Sequence, residues 1–162
     1  MKFFKINEKF GNKCYNIKQW KQINCAVGNW IIGKVVKMTT EELEILIKQG
    51  EGYTLEFKEN LGKKFAVEVV ALANSMGGTI LIGVDDDGNI IGTDTSNNQR
   101  ANIQNQISQI EPRINVNIEI VDNVIVITVP EGNDKPYSSS DGYYLRAAAM
   151  CQKMNRNEIR EY

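Results

Sequence analysis

Histidine is absent from the chain, and this absence limits the side chains that could do chemistry. It excludes the Ser-His and Cys-His nucleophile arrangements and removes the usual proton carrier at neutral pH. The three cysteines, Cys14, Cys25 and Cys151, are scattered and form no C-x-x-C pair. They predict neither a zinc site nor a disulfide framework. Any catalysis would therefore use carboxylates, lysine, tyrosine or a hard metal ion with oxygen ligands.

The densest group of carboxylates is Asp85-Asp86-Asp87, which stands directly before Gly88. Aspartate and glycine are typical of tight turns, so this run predicts a hairpin turn, with Ile90-Ile91 beginning the return strand. An EF-hand is excluded, because the twelfth position counted from Asp85 is Ser96 and not glutamate. The chain also lacks the G-x-G-x-x-G and P-loop motifs, so no nucleotide cofactor is predicted.

Length and composition fit one globular domain, or one domain with an extension. The chain has 162 residues, of which 42% are hydrophobic and 24% are charged, so a substantial core is expected. No segment reaches the roughly 18 apolar residues of a membrane span, and no signal peptide is recognisable. We therefore expect a cytoplasmic protein without a membrane partner.

Charge divides the chain near Met38. Residues 1–37 contain eight lysines and one glutamate, a formal charge of +7, whereas residues 38–162 contain 11 basic and 19 acidic residues, a formal charge of −8. Two interpretations of residues 1–37 stay open: a basic arm that contacts phosphates, or a poorly ordered, solvated extension, which is the commoner case. Residues 38–162 are predicted to form the folded domain.

Hydrophobic periodicity predicts an alternation of helices and strands in that domain. The predicted helices follow Thr39-Thr40 and cover Lys63–Asn74 and Asn98–Ile110, with a last helix from Asn157. The predicted strands are Tyr53–Lys58, Thr79–Val84, Val116–Ile120, Val124–Val129 and Tyr143–Arg146. Gly77-Gly78 is expected to make a tight turn between helix and strand. The order indicates an α+β fold with a mixed, mostly antiparallel sheet and helices packed against it.

Several of these segments carry motifs of a known family. They are Glu51–Lys58 (EGYTLEFK), Ala71–Asp86 (ALANSMGGTILIGVDD), Asp87–Gly92 (DGNIIG), Lys135-Pro136-Tyr137 and Tyr144-Leu145-Arg146. In this order and spacing they resemble the AlbA_2 domain of the Schlafen and divergent AAA-4 proteins over about residues 40–160. The resemblance implies the AlbA_2 fold and a nucleic-acid partner. The family includes both DNA-binding regulators and RNA-cleaving members, so fold alone does not fix the activity.

The resemblance also implies a candidate metal site. Glu51, Glu56 and Asp86 stand where RNA-cleaving Schlafen proteins have three metal-binding carboxylates, and such a set suits Mg²⁺ or Mn²⁺. Lys58 follows Glu56 by two residues and is expected on the same side of the strand. The site requires the Tyr53 strand to lie beside the strand ending at Val84. The alternative to a metal site is that these residues have ordinary structural roles, as a loop glutamate, as part of a polar strand face and as turn aspartates.

A second set of residues is expected to contact nucleic acid. The candidates are Lys58, Lys63, Lys64, Lys135, Tyr137 and Arg146. The cations would hold phosphates and the tyrosine would stack on a base. Scattered surface lysines and a loop tyrosine remain the alternative, which the charge of −8 favours.

The preferred hypothesis is a nucleic-acid-binding, regulatory module. Its alternative is a metal-dependent endoribonuclease that acts on structured RNA such as tRNA, so enzyme activity stays open, as does the choice between DNA and RNA. Vertebrate Schlafen cores place two related lobes around RNA, and this chain has one. By resemblance we expect a homodimer.

Overall fold

The structure, a computed structural model, describes residues 37–162 throughout. Before residue 37 it describes only the backbone of short strands, namely β1 (Phe3–Phe4), β2 (Tyr15–Asn16), β3 (Trp30–Ile31) and β4 (Lys34–Val35). β1 pairs antiparallel with β2, and β3 pairs antiparallel with β4. The predicted basic extension 1–37 thus lies almost wholly outside the described residues. The chain divides into two compact units, Met1–Met38 and Thr39–Tyr162.

The second unit contains four helices and two sheets. The helices are α1 (Thr40–Ile47), α2 (Phe65–Asn74), α3 (Asn97–Ile107) and α4 (Arg156–Arg160). The strands are β5 (Leu55–Lys58), β6 (Gly78–Ile82), β7 (Asn117–Val121), β8 (Val124–Val129), β9 (Ser138–Ser139), β10 (Gly142–Ala147) and β11 (Met150–Lys153). One sheet has the strand order β5-β6-β8-β7 and the other has the order β11-β10-β9. Only β5 and β6 are parallel, so the predicted α+β fold is confirmed.

Helix α2 forms the crossover between the parallel strands β5 and β6. Nearly all of its residues are buried, because it contacts the strands of the three-stranded sheet and also packs on the larger one. Ile80 and Ile127 of the larger sheet belong to the same buried cluster as Val69 and Leu72 of α2. Burial on every side explains why the helix has a broad apolar surface and not a narrow stripe.

The turn from α2 into β6 depends on Gly77 and Gly78, as predicted. A Cβ atom at Gly77 would lie 2.6 Å from the backbone nitrogen of Glu131, and one at Gly78 would lie 2.5 Å from the carbonyl oxygen of Thr54. Gly77 also has φ +73°, which glycine adopts without steric cost. The two glycines therefore let β6 begin directly beside its neighbours.

Three local features differ from the sequence prediction. Residues after Asp87-Gly88 form no return strand, since only an isolated bridge joins Val84 to Ile90. The Asp85 side chain accepts hydrogen bonds from the backbone of Asp87 and Asn89 and so closes a local turn. The chain then turns away from β6 and adds no further strand to the sheet. The other differences are β9 and β11, which both pair with β10 and were not predicted.

Candidate functional site

Glu56 and Lys58 lie on the face of β5 that carries α2. Successive strand residues point to opposite faces, and Leu55 and Phe57 are buried on the other face. Nζ of Lys58 lies 2.5 Å from Oε1 of Glu56 and 3.3 Å from Oε1 of Glu68, which projects from α2. One lysine therefore bridges a strand carboxylate and a helix carboxylate.

Arg146 brings β10 into the same cluster. Its Nη2 donates to Oε2 of Glu56, to the carbonyl oxygen of Gly52 at 2.9 Å and to that of Leu55 at 3.3 Å. Its Nε donates to the Gly52 carbonyl oxygen at 3.2 Å. The Arg146 side chain is 1% exposed and that of Glu56 is 9% exposed. A buried charge is tolerated when it is both paired and hydrogen-bonded, and here the pair joins the two sheets.

The charges in this cluster change one another's pKa values. Burial alone would lower the pKa of Lys58, but the hydrogen bond to Glu56 and the charge of Glu68 outweigh it and raise that pKa. Burial also opposes the charge of Arg146, and its hydrogen bond to Glu56 again raises the pKa overall. Burial raises the pKa of the Glu68 carboxyl, which Lys58 offsets only in part. The two bases thus stay cationic, and Glu68 accepts a proton more readily than an ordinary glutamate.

A pocket of about 420 Å³ opens beside the cluster. Its wall includes Glu56, Lys64, Glu68, Asp141, Tyr144, Arg146 and Cys151. The Cys151 sulfur lies 3.7 Å from Nη1 of Arg146. Burial raises the pKa of this thiol more than the neighbouring arginine lowers it. Because the thiolate is the reactive form of cysteine, Cys151 is not an activated nucleophile.

Asn74 fixes the strand that carries Arg146. Its Nδ2 donates to the carbonyl oxygens of Tyr137 at 2.8 Å and Tyr144 at 3.0 Å, and its Oδ1 accepts from the backbone nitrogen of Tyr137 at 2.6 Å. The hydroxyl of Tyr162 donates to the Asn74 carbonyl oxygen at 3.2 Å. A buried amide with all these partners is well satisfied, and it positions one wall of the pocket.

The three carboxylates expected to bind metal do not come together. β5 does lie beside β6, as the site requires. However, Oε1 of Glu51 accepts a hydrogen bond from the Phe57 backbone at 2.8 Å, Glu56 is held by Lys58 and Arg146, and Asp86 lies exposed in the turn beyond β6. Among residues 37–162, no group of three or more Asp, Glu or Cys side chains could hold a metal ion. The metal site that the resemblance implies therefore stays a prediction, without support from the placement of these three carboxylates.

The structure separates the residues expected to contact nucleic acid into two groups. Lys58 and Arg146 are engaged in the buried cluster, and Nζ of Lys135 donates to the Ser75 carbonyl oxygen and to Glu131. Tyr137 is buried in the core with its ring against Gly132, so its stacking on a base stays a prediction that this placement does not support. The guanidinium of Arg146 is also buried and hydrogen-bonded, so its contact with phosphate likewise stays a prediction.

Lys63 and Lys64 form the other group. Both are exposed immediately before α2, and Lys64 also lines the pocket. The ion pairs of the described region involve Lys48, Lys58, Lys135 and Arg146, and neither of these two lysines takes part in one. Their ammonium groups are thus available to an external ligand.

Sequence reasoning missed Glu68, Asp141 and Tyr144 as pocket residues. Glu68 carried a usable signal, because it is the only charged residue within the ten residues of α2. A single acid in an otherwise apolar helix needs a partner when it is buried. Tyr144 was quoted only as part of a motif, and the position of Asp141 in the β9–β10 turn gave no signal.

These features define a small α+β domain in which a parallel strand pair, its crossover helix and a second sheet surround a charged pocket. A family model described as "Schlafen, AlbA_2" matches residues 51–155. The chain belongs to the Schlafen AlbA_2 family, as its motifs predicted.

The fold is also similar to solved structures. The DIP2311 protein from Corynebacterium diphtheriae matches with a TM-score of 0.52 and 21% sequence identity. The match covers 90% of this chain and 28% of that one, so this chain spans less than a third of the matched structure's length. A search among curated proteins found no significant match. In the described residues, no helix is long and apolar enough to cross a membrane.

Proposed function

We propose that the domain binds nucleic acid and that Lys63 and Lys64 contact its phosphates. Membership of the AlbA_2 family supports the partner class. The observation that carries the proposal is the pair of adjacent, exposed lysines beside the pocket, with no ion pair in the described part of the chain. Because these ammonium groups are not engaged by a carboxylate, they can form charge-assisted hydrogen bonds with phosphate oxygens.

The charge of −8 on residues 38–162 opposes this binding but does not prevent it. Exposed charges farther than about 8 Å from a bound phosphate are largely screened at physiological ionic strength. Local contacts therefore dominate, and we expect moderate affinity with a clear dependence on salt.

Fluorescence anisotropy on the full chain tests the proposal. Labelled tRNA, single-stranded oligonucleotides and duplex DNA are titrated at salt concentrations from about 50 to about 200 mM. We expect binding that weakens as salt increases and that persists in EDTA. If no nucleic acid binds at the lowest salt concentration, the proposal is wrong.

The metal-dependent endoribonuclease stays a prediction without support from the described carboxylates, and the same samples test it. Gel analysis after incubation with Mn²⁺ or EDTA would reveal cleavage, and cleavage lost in Asp86→Ala, a change at an exposed turn residue, would favour the enzyme. Homodimer formation also remains a proposal, which rests on the family resemblance. Light scattering with and without the oligonucleotide gives the mass of the complex directly.

A further inference from the structure

Two carboxylates in the pocket retain the capacity to accept hydrogen bonds. Glu68 uses Oε1 to contact Lys58, while its Oε2 has no partner among residues 37–162. The carboxylate of Asp141, which also lines the pocket, has none within the same range, and this residue is exposed in the β9–β10 turn. Oxygen acceptors inside a pocket favour a ligand that carries hydrogen-bond donors.

The charges of the pocket distinguish a nucleobase from a phosphate. The wall has three acids, Glu56, Glu68 and Asp141, and two bases, Lys64 and Arg146, of which Arg146 is already paired with Glu56. A phosphate inside would face these carboxylates and be repelled. An exocyclic amino group is neutral and donates hydrogen bonds, and Asp or Glu is the usual acceptor for the amino group of cytosine.

The remaining parts of the pocket suit the rest of a nucleotide. Tyr144 contributes an aromatic ring to the wall, and aromatic rings bind unstacked bases of any sequence. Lys64 lines the pocket, and Nζ of Lys153 lies 5.9 Å from the centroid of the Tyr144 ring, so two cations flank this wall for the backbone phosphates. A volume of about 420 Å³ falls in the range of small-ligand sites, which admits a nucleoside and excludes a duplex.

We propose that this pocket binds one unpaired nucleobase that carries an exocyclic amino group. The inference rests on the proposed binding of nucleic acid and narrows its partner to single-stranded segments. Bases in a duplex have their amino groups paired and their faces stacked, so they reach such a pocket only after extrusion from the helix. The pocket thereby reads the base while the flanking lysines hold the strand.

Matched oligonucleotides separate the pocket from the phosphate contacts. The full chain is titrated with oligo-dC, oligo-dT and an abasic strand, each of about ten nucleotides, and with the corresponding duplex. These ligands share a phosphate backbone, but thymine lacks the amino group and the abasic strand lacks the base. We expect oligo-dC to bind about tenfold more tightly than oligo-dT, and the abasic strand and the duplex to bind more weakly than either.

Substitutions in the pocket then test whether it causes the preference for oligo-dC over oligo-dT. Asp141→Ala changes an exposed turn residue and should reduce the preference for oligo-dC over oligo-dT, while Asp134→Ala, another exposed loop aspartate outside the pocket, should leave it unchanged. Tyr144→Leu should weaken oligo-dC and oligo-dT alike by about tenfold, with Tyr143→Leu as its control. Circular dichroism confirms that each variant is folded.

The outcomes distinguish this inference from the broader function. Salt-dependent binding of equal strength to oligo-dC, oligo-dT and the abasic strand would overturn the nucleobase pocket and leave the proposed function intact. A preference for oligo-dC that persists in Asp141→Ala and Tyr144→Leu would place base recognition elsewhere and also overturn it. No binding to any of the strands would overturn both proposals.

Discussion

Arg146 and Glu56 form a buried ion pair between β10 and β5, two strands that belong to different sheets. The residues are 90 positions apart in sequence. Lys58 contacts the other oxygen of Glu56 and continues the network to Glu68 on α2. The pair therefore connects the parallel strand, its crossover helix and the second sheet at the wall of the pocket.

Removing one partner of this pair should destabilise the domain strongly. We expect Glu56→Leu to lower the free energy of unfolding by about 3–5 kcal/mol, because it leaves the buried Arg146 guanidinium without a carboxylate. Arg146→Met should cost less, since Lys58 still contacts Glu56. The double variant should lose less than the sum of the single losses. Urea unfolding of the four proteins gives the coupling energy. Strictly additive losses would mean that the pair contributes no specific interaction.

Glu68 should make stability depend on pH. Its pKa is raised above the ordinary value of 4.5, mainly by burial. A raised pKa in the folded state stabilises the fold below the unfolded pKa, and this contribution is lost as pH rises through the folded pKa. Relative to wild type, Glu68→Gln should therefore gain stability as pH rises from about 4 towards neutrality.

Chemical unfolding at a series of pH values measures this difference. Glu161→Gln, which changes an exposed residue near the C-terminus, provides the control and should show a smaller change with pH. A difference between Glu68→Gln and wild type that stays constant over this range would show that the carboxyl is not perturbed by burial.

Gly78 should tolerate no side chain. A Cβ there would lie 2.5 Å from the backbone oxygen of Thr54, and relieving that clash requires moving the parallel strand pair. We expect Gly78→Ala to cost about 1–3 kcal/mol. Gly52→Ala is the control, since a Cβ at that position meets nothing within 4 Å. Thermal unfolding compares them, and equal melting temperatures would contradict the packing described at this turn.

Short sequence patterns correctly predicted a helix face, a helix cap and a tight turn. The helical stripe of Ile103, Ile107 and Ile110 is buried as expected, and Thr39 caps α1 through a reciprocal hydrogen-bonding arrangement with Glu42. The Gly77-Gly78 turn was also predicted. In these cases the residues that determine the feature lie within a few positions of each other, so the sequence alone is enough to predict it.

The pocket could not be predicted in the same way. Period-two alternation places Tyr144 and Arg146 on one side of β10, but it does not say that α2 and β5 cover that side. β11 was missed because its hairpin passes through Ala148 at φ +54°. Non-glycine residues rarely adopt that conformation, so the tripeptide Ala147–Ala149 carried no turn signal. Long-range packing decided the pocket, and an unusual local backbone conformation decided the hairpin.

The central claim, that Lys63 and Lys64 hold phosphates, is tested most directly by the salt dependence of binding. For a single-stranded oligonucleotide, the slope of log affinity against log salt concentration should fall in magnitude by about 0.7 for each phosphate contact removed. We expect Lys63→Ala/Lys64→Ala to show this smaller slope and a weaker affinity. Arg100→Ala/Arg113→Ala, which removes two exposed cations from other segments, should keep the wild-type slope. Identical slopes for the lysine variant and the wild-type protein would contradict the account.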